Sequence, residues 1–310
     1  MLVDRFNRKI TNLRISVTDR CNLNCFYCHK EGFLSKGCDE LSADEISRIA
    51  YAFKKLGVKK VKITGGEPLV RRDIVDVIAA LPAFDEISMT TNGILLEDYA
   101  TELKEGGLDR INISIDSLKA GNYQRLSGGR LDRVLSGLEA AIEADLTPVK
   151  VNMVVMKGIN DGEVDDMIDF LSRYNGEDES PKVILQLIEL LKLPGLEGYW
   201  YDIGLIEDRI SARAKGVRVR RMHGRRQYVI DGGVVEFVRP MDNTEFCYNC
   251  NRIRVTCDGK IKPCLLRSDN LVDVRGLEGR ELERRIIEAV RLREPYFKRR
   301  VEVGLRDSES

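Results

Sequence analysis

Short β-branched runs alternate with amphipathic helical segments through residues 1–190, and no hairpin signal separates one run from the next. Strands spaced that way pair in parallel, through right-handed crossovers. Strand signals fall at residues 13–17, 60–64, 86–91, 110–114, 149–155 and 182–187. Ser42 and Glu45 form a Ser-x-x-Glu box that opens a helix carrying Ile46, Ile49, Ala50, Phe53 and Leu56 on one face. Val134, Leu135, Leu138, Ala141 and Ile142 repeat that period, as do Val164, Met167, Ile168 and Leu171. Six such units build either a doubly wound sheet or an incomplete barrel, and periodicity does not choose between them. After about Pro194 the texture changes. Residues 218–237 read as strands with turns at His223-Gly224 and at 231–233, a strand-turn pattern recurs at Asp258-Gly259, and a last helix runs from Glu281 to about Arg293.

Composition bears on partners and compartment. Lys+Arg and Asp+Glu both total 50, so the 310-residue chain has no net charge and no overall basic footprint for nucleic acid. The N-terminus lacks the apolar core of a signal peptide. The richest apolar stretch, 183–196, is interrupted by Gln186, Glu189, Lys192 and Pro194, and a span needs about 20 apolar residues. The expectation is a cytoplasmic protein with reduced thiols. Its eight cysteines then need a use other than disulfides, and metal binding comes first.

Cys21, Cys25 and Cys28 form C-x3-C-x2-C directly after the first strand. Three thiolates on one loop can ligate three irons of a cubane and leave the fourth open, whereas closed zinc wants a fourth ligand. His29 would crowd the metal that Cys28 binds. Phe26 and Tyr27 can shield a cluster, line a cofactor pocket or pack on the barrel mouth. Gly-Gly-Glu-Pro at 65–68 follows the second strand, where a glycine pair lets backbone approach a ligand and Glu67 can meet a cationic amine; a tight turn explains it equally well. Cys247, Cys250 and Cys264 form a second set, with a zinc ribbon completed by Cys257 as the plain reading. Against it, Arg252 and Arg254 sit beside the second cysteine, where an anionic substrate would need them. Cys38 reads as an ordinary thiol and Cys257 as a packed one. Lys60 and Lys62 share one face of their strand and, with Arg14, point toward the same mouth. The basic run from Arg218 to Arg226 reads as a solvated hairpin face.

These residues carry a resemblance. C-x3-C-x2-C followed by Gly-Gly-Glu-Pro looks like the radical S-adenosylmethionine superfamily. The strings at 13–21, 63–68, 90–93, 112–116 and 250–254 narrow it to the GTP 3′,8-cyclases of molybdenum-cofactor biosynthesis, the MoaA family. The resemblance implies a partial six-unit TIM-type α/β barrel over residues 1–195, with an extension over 196–310 that closes its open side and carries a second cluster. It implies [4Fe-4S] clusters on Cys21, Cys25 and Cys28 and on Cys247, Cys250 and Cys264. S-adenosylmethionine would meet the first at its free iron, with Tyr27, Gly66, Glu67, Ser114 and Leu191 around it. GTP would meet the second, contacted by Arg14, Lys60, Lys62, Thr90, Lys157, Arg252, Ile253 and Arg254. The first three cysteines, Arg252 and Arg254 would be catalytic. The implied reaction is a lyase step in which a 5′-deoxyadenosyl radical takes hydrogen from C3′ of GTP, and C3′ then bonds to C8. An unidentified electron donor would feed the enzyme, and the cyclic pyranopterin monophosphate synthase would take its product.

Departures from the family pattern are specific. A Gly-Gly tail has no match in residues 306–310, which implies another segment in its place or impaired activity. Gln186 stands where an arginine is expected, Leu191 where methionine is common, and Lys62 replaces an arginine of some relatives. Cys257 is extra, and as a ligand it would remove the free iron of the second cluster. Two other classes compete: a peptide-modifying radical maturase, and a non-catalytic iron-sulfur carrier or zinc-stabilised binding module.

Overall fold

The computed structural model describes residues 1–32, 37–176, 181–220, 224–240 and 243–295. The tail at 306–310, His223 and Arg221 of the basic run lie outside the described residues. Six parallel strands appear where the alternation places them: β1 (Asn12–Ser16), β2 (Lys60–Thr64), β3 (Glu86–Thr91), β4 (Arg110–Ser114), β5 (Val149–Val155) and β6 (Val183–Glu189). The helices between them are α1 (Ala43–Lys55), α2 (Ile74–Ala79), α3 (Leu96–Glu105), α4 (Ala120–Ser127), α5 (Leu131–Glu143) and α6 (Val164–Ser172). At α1 the capping box forms in both directions, Glu45 N donating to Ser42 Oγ at 3.2 Å and Ser42 N to Glu45 Oε2 at 2.8 Å. Such a cap contributes about 1 kcal/mol. Ile46, Ile49, Ala50 and Phe53 are buried under it as the period requires.

Beyond β6 come α7 (Gly204–Ala212), β7 (Gly216–Val219), β8 (Arg226–Ile230), β9 (Gly233–Val238), α8 (Thr244–Tyr248), β10 (Arg252–Val255), β11 (Lys260–Lys262), β12 (Val272–Asp273) and α9 (Gly279–Arg291). They form one twelve-stranded sheet with the barrel strands, in the order β12-β11-β10-β1-β2-β3-β4-β5-β6-β9-β8-β7. The extension expected to close the open side joins this sheet directly. β9 adds in parallel to β6 and β10 adds in parallel to β1, so the extension lengthens the sheet at both edges. An edge strand leaves a row of unpaired N–H and C=O groups, and both edges of the six-strand sheet are satisfied this way. α9 packs back on α1, with Lys55 and Glu283 ion-paired at 2.6 Å.

Alternation sorts the side chains. Leu13, Ile15, Val61, Ile63, Ile87, Met89, Ile111 and Ile113 are buried in the main core with the helices. Their neighbours Arg14, Lys60, Lys62, Glu86, Arg110 and Asn112 bond to one another or to other polar groups on the opposite face. Parallel strands covered on both faces are normally apolar throughout. The polar alternation therefore marks an inner face that lines a cavity. The sheet curls around it: Arg225, beside β8, helps hold the Arg252 guanidinium on β10 below its ordinary pKa, although those strands lie near opposite ends of the sheet.

Candidate active site: two cysteine triads and a cationic cavity

The first triad lies on the loop after β1. Asn24 N donates to Ser127 O at 3.1 Å and Phe26 N to Leu126 O, which docks the loop on the C-terminal end of α4. The glycine pair holds the other side. A Cβ at Gly66 would stand 2.2 Å from Arg20 O, and one at Gly65 would stand 2.6 Å from Thr18 O. Gly66 N and Glu67 N donate to those same stretches, at Thr18 O and Arg20 O, both at 2.8 Å. What approaches these glycines is the protein's own backbone just before Cys21.

Glu67 is fully partnered inside the chain. Its carboxylate accepts from Leu69 N at 3.0 Å, Thr91 Oγ1 at 2.6 Å and Asn92 N at 2.6 Å, and burial pushes its pKa up to about 7. Asn92 in turn donates to Asn22 Oδ1 at 2.7 Å and approaches Cys21 Sγ at 3.9 Å. Glu67 thus ties the β2 and β3 loops beneath the cysteines, where the sequence suggested a contact for a cationic amine. Tyr27 donates its hydroxyl to Asp116, whose other oxygen accepts from Val154 N at 2.8 Å. Burial lifts Asp116 to about 6. Phe26 is exposed and stacks edge-on to Tyr199 at 5.3 Å, so it packs at the mouth. Leu23 N donates to Cys21 Sγ at 3.4 Å and Lys30 N to Cys28 Sγ at 3.3 Å. Burial raises the Cys25 thiol to about 12, so ligation there must release a proton.

The second triad is gripped by charge. Cys247 lies in α8, Cys250 precedes β10 and Cys264 follows β11. Buried Asp4 binds Arg8 Nε and Arg293 Nη1, both at 2.7 Å. Arg8 donates to Cys247 O at 2.9 Å, and Arg293 donates to Cys250 O at 3.0 Å and Cys250 Sγ at 3.4 Å. Burial alone would push the Cys250 thiol up; against it, the Arg293 charge brings the thiol below its ordinary value. Nothing in the motif reading pointed to Asp4, Arg8 or Arg293. The signal was the Asp-x-x-x-Arg spacing of the first two, close to the N-terminus.

Between the triads lies the inner face. Arg14 on β1 and Arg254 on β10 are partners in register and share Glu31, with Arg14 at 3.1 Å. Glu31 holds a left-handed φ of 51° three residues after Cys28. Lys60 and Arg110 share Glu86, at 2.9 and 2.6 Å. Lys62 donates to Asn112 Oδ1 at 2.8 Å. Neither Lys62 nor Arg252 has a carboxylate partner among the described residues. Burial and then neighbouring cations depress both well below their ordinary values. Thr90 and Ser114 are half-buried at the ends of β3 and β4, and Lys157 is exposed beyond β5. Leu191 is half-buried in the loop after β6. Ile253 is fully buried in the apolar core, so its side chain turns away from the cavity that Arg252 and Arg254 face.

Other expectations are corrected. Arg225 and Arg220, read as part of a solvated face, turn inward onto buried Glu236 at 2.6 and 3.2 Å, while Arg218 and Arg226 remain exposed. Gln186 bonds the same carboxylate at 3.0 Å. A charged residue in the apolar run Val-Val-Glu-Phe-Val was the available clue. Cys38 and Cys257, expected as free thiols, form a disulfide across 219 residues. That bond brings the segment after the first triad to the β10–β11 turn, where Leu41 N also donates to Cys257 O at 2.8 Å. Cys257 is thereby removed as a ligand for the second triad.

The donor sets fit iron-sulfur clusters. None of the six triad cysteines is in a disulfide. Among the described residues, Asp19, Cys38 and Cys257 are the three donors that come within 4.8 Å of one another, and neither triad does. A single zinc ion needs ligands that close, whereas a cluster holds its thiolates farther apart. His29 is half-buried, and its Nδ1 has no hydrogen-bond partner.

Residues 15–171 match the radical SAM superfamily, and residues 184–299 match the family described as Molybdenum Cofactor Synthesis C. A probable GTP 3′,8-cyclase of Archaeoglobus fulgidus is 56% identical over 96% of this chain and 100% of its own. The corresponding proteins of Methanosarcina mazei and Methanocaldococcus jannaschii are 52% and 46% identical, over 96% and 95% of this chain and 90% and 99% of theirs. Among solved structures, Streptococcus suis SuiB bound to S-adenosylmethionine aligns with a TM-score of 0.63 at 18% identity, covering 96% of this chain and 67% of SuiB. Native anSMEcpe with bound AdoMet aligns with a TM-score of 0.59 at 16% identity, over 87% of this chain and 79% of that one. At those identities the two structures speak for the fold alone.

Proposed function

The chain belongs to the radical SAM GTP 3′,8-cyclase family of molybdenum-cofactor synthesis, and from that premise we propose how its residues divide the work. Cys21, Cys25 and Cys28 would hold one [4Fe-4S] cluster and receive S-adenosylmethionine, and Cys247, Cys250 and Cys264 would hold a second on the side that takes the guanine. When bound, the first cluster and S-adenosylmethionine supply one-electron C–S cleavage, the source of the radical that removes hydrogen from C3′ of GTP. Tyr27, fixed by Asp116, lines the cofactor pocket with Ser114, Leu191 and the Gly66 backbone. Glu67 acts through Asn92 by setting the loop that carries Cys21.

The cavity cations orient the nucleotide. Among the described residues no carboxylate pairs with Lys62 or Arg252, and this placement of two cations between the two cysteine triads is the observation that carries the reading. Arg14 and Arg254 exchange Glu31 for phosphate oxygens, Lys60 loosens from Glu86, Thr90 donates a hydroxyl, and Lys157 reaches in from beyond β5. Ile253 contributes backbone only. Fixing C3′ and C8 within one cavity lets their bond form without a free radical escaping to solvent. We place the enzyme in the cytoplasm, fed by a separate electron donor and followed by the cyclic pyranopterin monophosphate synthase. No described helix is long and apolar enough to cross a membrane.

The test is an anaerobic reaction of iron-reconstituted protein with dithionite, S-adenosylmethionine and GTP, followed by mass spectrometry. The reading requires methionine, 5′-deoxyadenosine and 3′,8-cyclo-7,8-dihydro-GTP together. Cleavage of S-adenosylmethionine with GTP left intact would remove GTP as the substrate.

A further inference from the structure

The far wall of the cavity, at the β6–β9–β8 edge, carries more positive charge than its own structure uses. Buried Glu236 receives five donors: Lys150 Nζ at 2.6 Å, Arg225 at 2.6 Å, Gln227 Nε2 at 2.7 Å, Gln186 Nε2 at 3.0 Å and Arg220 at 3.2 Å. Three of those donors are cations facing a single carboxylate. A structural ion pair needs one cation, and each further buried charge adds desolvation cost unless an anion meets it. Arg225 is the most telling. It is 7% exposed, and its Nε is buried with no hydrogen-bond partner. The fork thus has one arm on Glu236 and a donor left over.

Resting on the GTP reading above, we propose that Arg225, aimed by Glu236, is a substrate-contacting residue that binds the polyphosphate of the nucleotide from the wall opposite Arg14 and Arg252. The strand register puts both walls on one face of the sheet, from Arg254, Arg14 and Lys62 on β10, β1 and β2 to Asn152, Gln186 and Glu236 on β5, β6 and β9. After burial and Arg220, Arg14 and Arg110 also help hold the Arg225 guanidinium down at about 10, and Arg225 in turn helps depress Arg252. Gln186, on the same wall, has no charge to offer, so the hairpin supplies the cation there. Glu236 is a positioning residue: it holds Arg225 and Lys150 in place while leaving the cluster net positive. A guanidinium can take two phosphate oxygens in parallel, and an ammonium cannot.

The experiment compares GTP with GMP, which keeps guanine and ribose and lacks the β- and γ-phosphates. Affinities are measured anaerobically on the iron-reconstituted protein for wild type, Arg225→Gln and Arg225→Lys, with KM and kcat for GTP. Arg225→Gln should weaken GTP about 10- to 100-fold and GMP less than about threefold, raising KM far more than it lowers kcat. Arg225→Lys should recover part of the GTP affinity. Equal losses for GTP and GMP, or no loss for either, would overturn the proposal. A fall in kcat alone would do so too. If Arg225→Gln does not fold by thermal melting, Arg225→Lys decides alone, by a selective loss for GTP or none. Failure of the parent reading looks different: wild type itself would then bind GTP no better than GMP.

Discussion

The two cysteine triads use the same ligand chemistry in opposite settings. The first sits on an exposed loop, with backbone N–H groups directed at Cys21 and Cys28 and, among the described residues, no cation holding its sulfurs. Of its supports, Asn92 reaches Cys21 Sγ at 3.9 Å, while Glu67 and Asp116 act through Asn92 and Tyr27. The second is enclosed by Arg8, Arg293 and Asp4, drawn from both ends of the described chain, and Arg293 touches Cys250 Sγ itself. Burial lifts Cys25, while Arg293 draws Cys250 down. The contrast suits a division of labour. An open loop can admit a small charged cofactor, whereas a clamped site keeps its metal centre fixed as a wall against which a substrate base is held.

The contrast can be broken most forcefully at the ligands. Cys25→Ala and Cys250→Ala should each lower reconstituted iron from about eight to about four per chain, and only Cys25→Ala should abolish S-adenosylmethionine cleavage. Equal loss of cleavage in both would erase the distinction. The next effect concerns the bond that ties the two regions together. Opening Cys38–Cys257, across 219 residues, should cost about 5 kcal/mol by the chain-entropy estimate. Thiol titration of the metal-free, unfolded chain should find six free thiols before reduction and eight after; eight at once would contradict the pairing.

Arg293→Met probes the clamp. Breaking a buried ion pair costs about 3 kcal/mol, and without the Arg293 charge the Cys250 thiol should rise. Alkylation of Cys250 in metal-free protein at pH 8 should then slow, with Cys25 unchanged. The smallest effect is a pH slope on the first side. Glu67 has its folded pKa raised to about 7, above the ordinary 4.5. It therefore contributes stability that is fully present below about pH 4.5 and lost as pH rises through 7, at most about 3 kcal/mol. Glu67→Gln should flatten that part of the melting profile of metal-free protein, and an unchanged slope would show that Glu67 titrates normally.

The same contrast explains what was legible. β2 through β5 appear at the residues their β-branched runs mark, because local alternation fixes a strand with a helix-covered face. The first triad could be read from spacing, since all three ligands lie within eight residues. Pairing of β9 with β6 and of β10 with β1 could not, because edge pairing is non-local and leaves no period. Arg225 and Arg226 are adjacent in the chain, yet one is buried on Glu236 and the other exposed, a difference set by the hairpin's fold. Asp4 and Arg293 are 289 residues apart and meet only once α9 has packed on α1.

The central claim, that the first triad generates the radical and the second holds the substrate to receive it, is tested by GTP deuterated at C3′. Wild type and Cys250→Ala are compared anaerobically with dithionite and S-adenosylmethionine. Wild type should place deuterium in 5′-deoxyadenosine, and the variant should cleave S-adenosylmethionine with little or no deuterium transferred. Undiminished transfer in Cys250→Ala would contradict the account, because the substrate would then be held without the second triad.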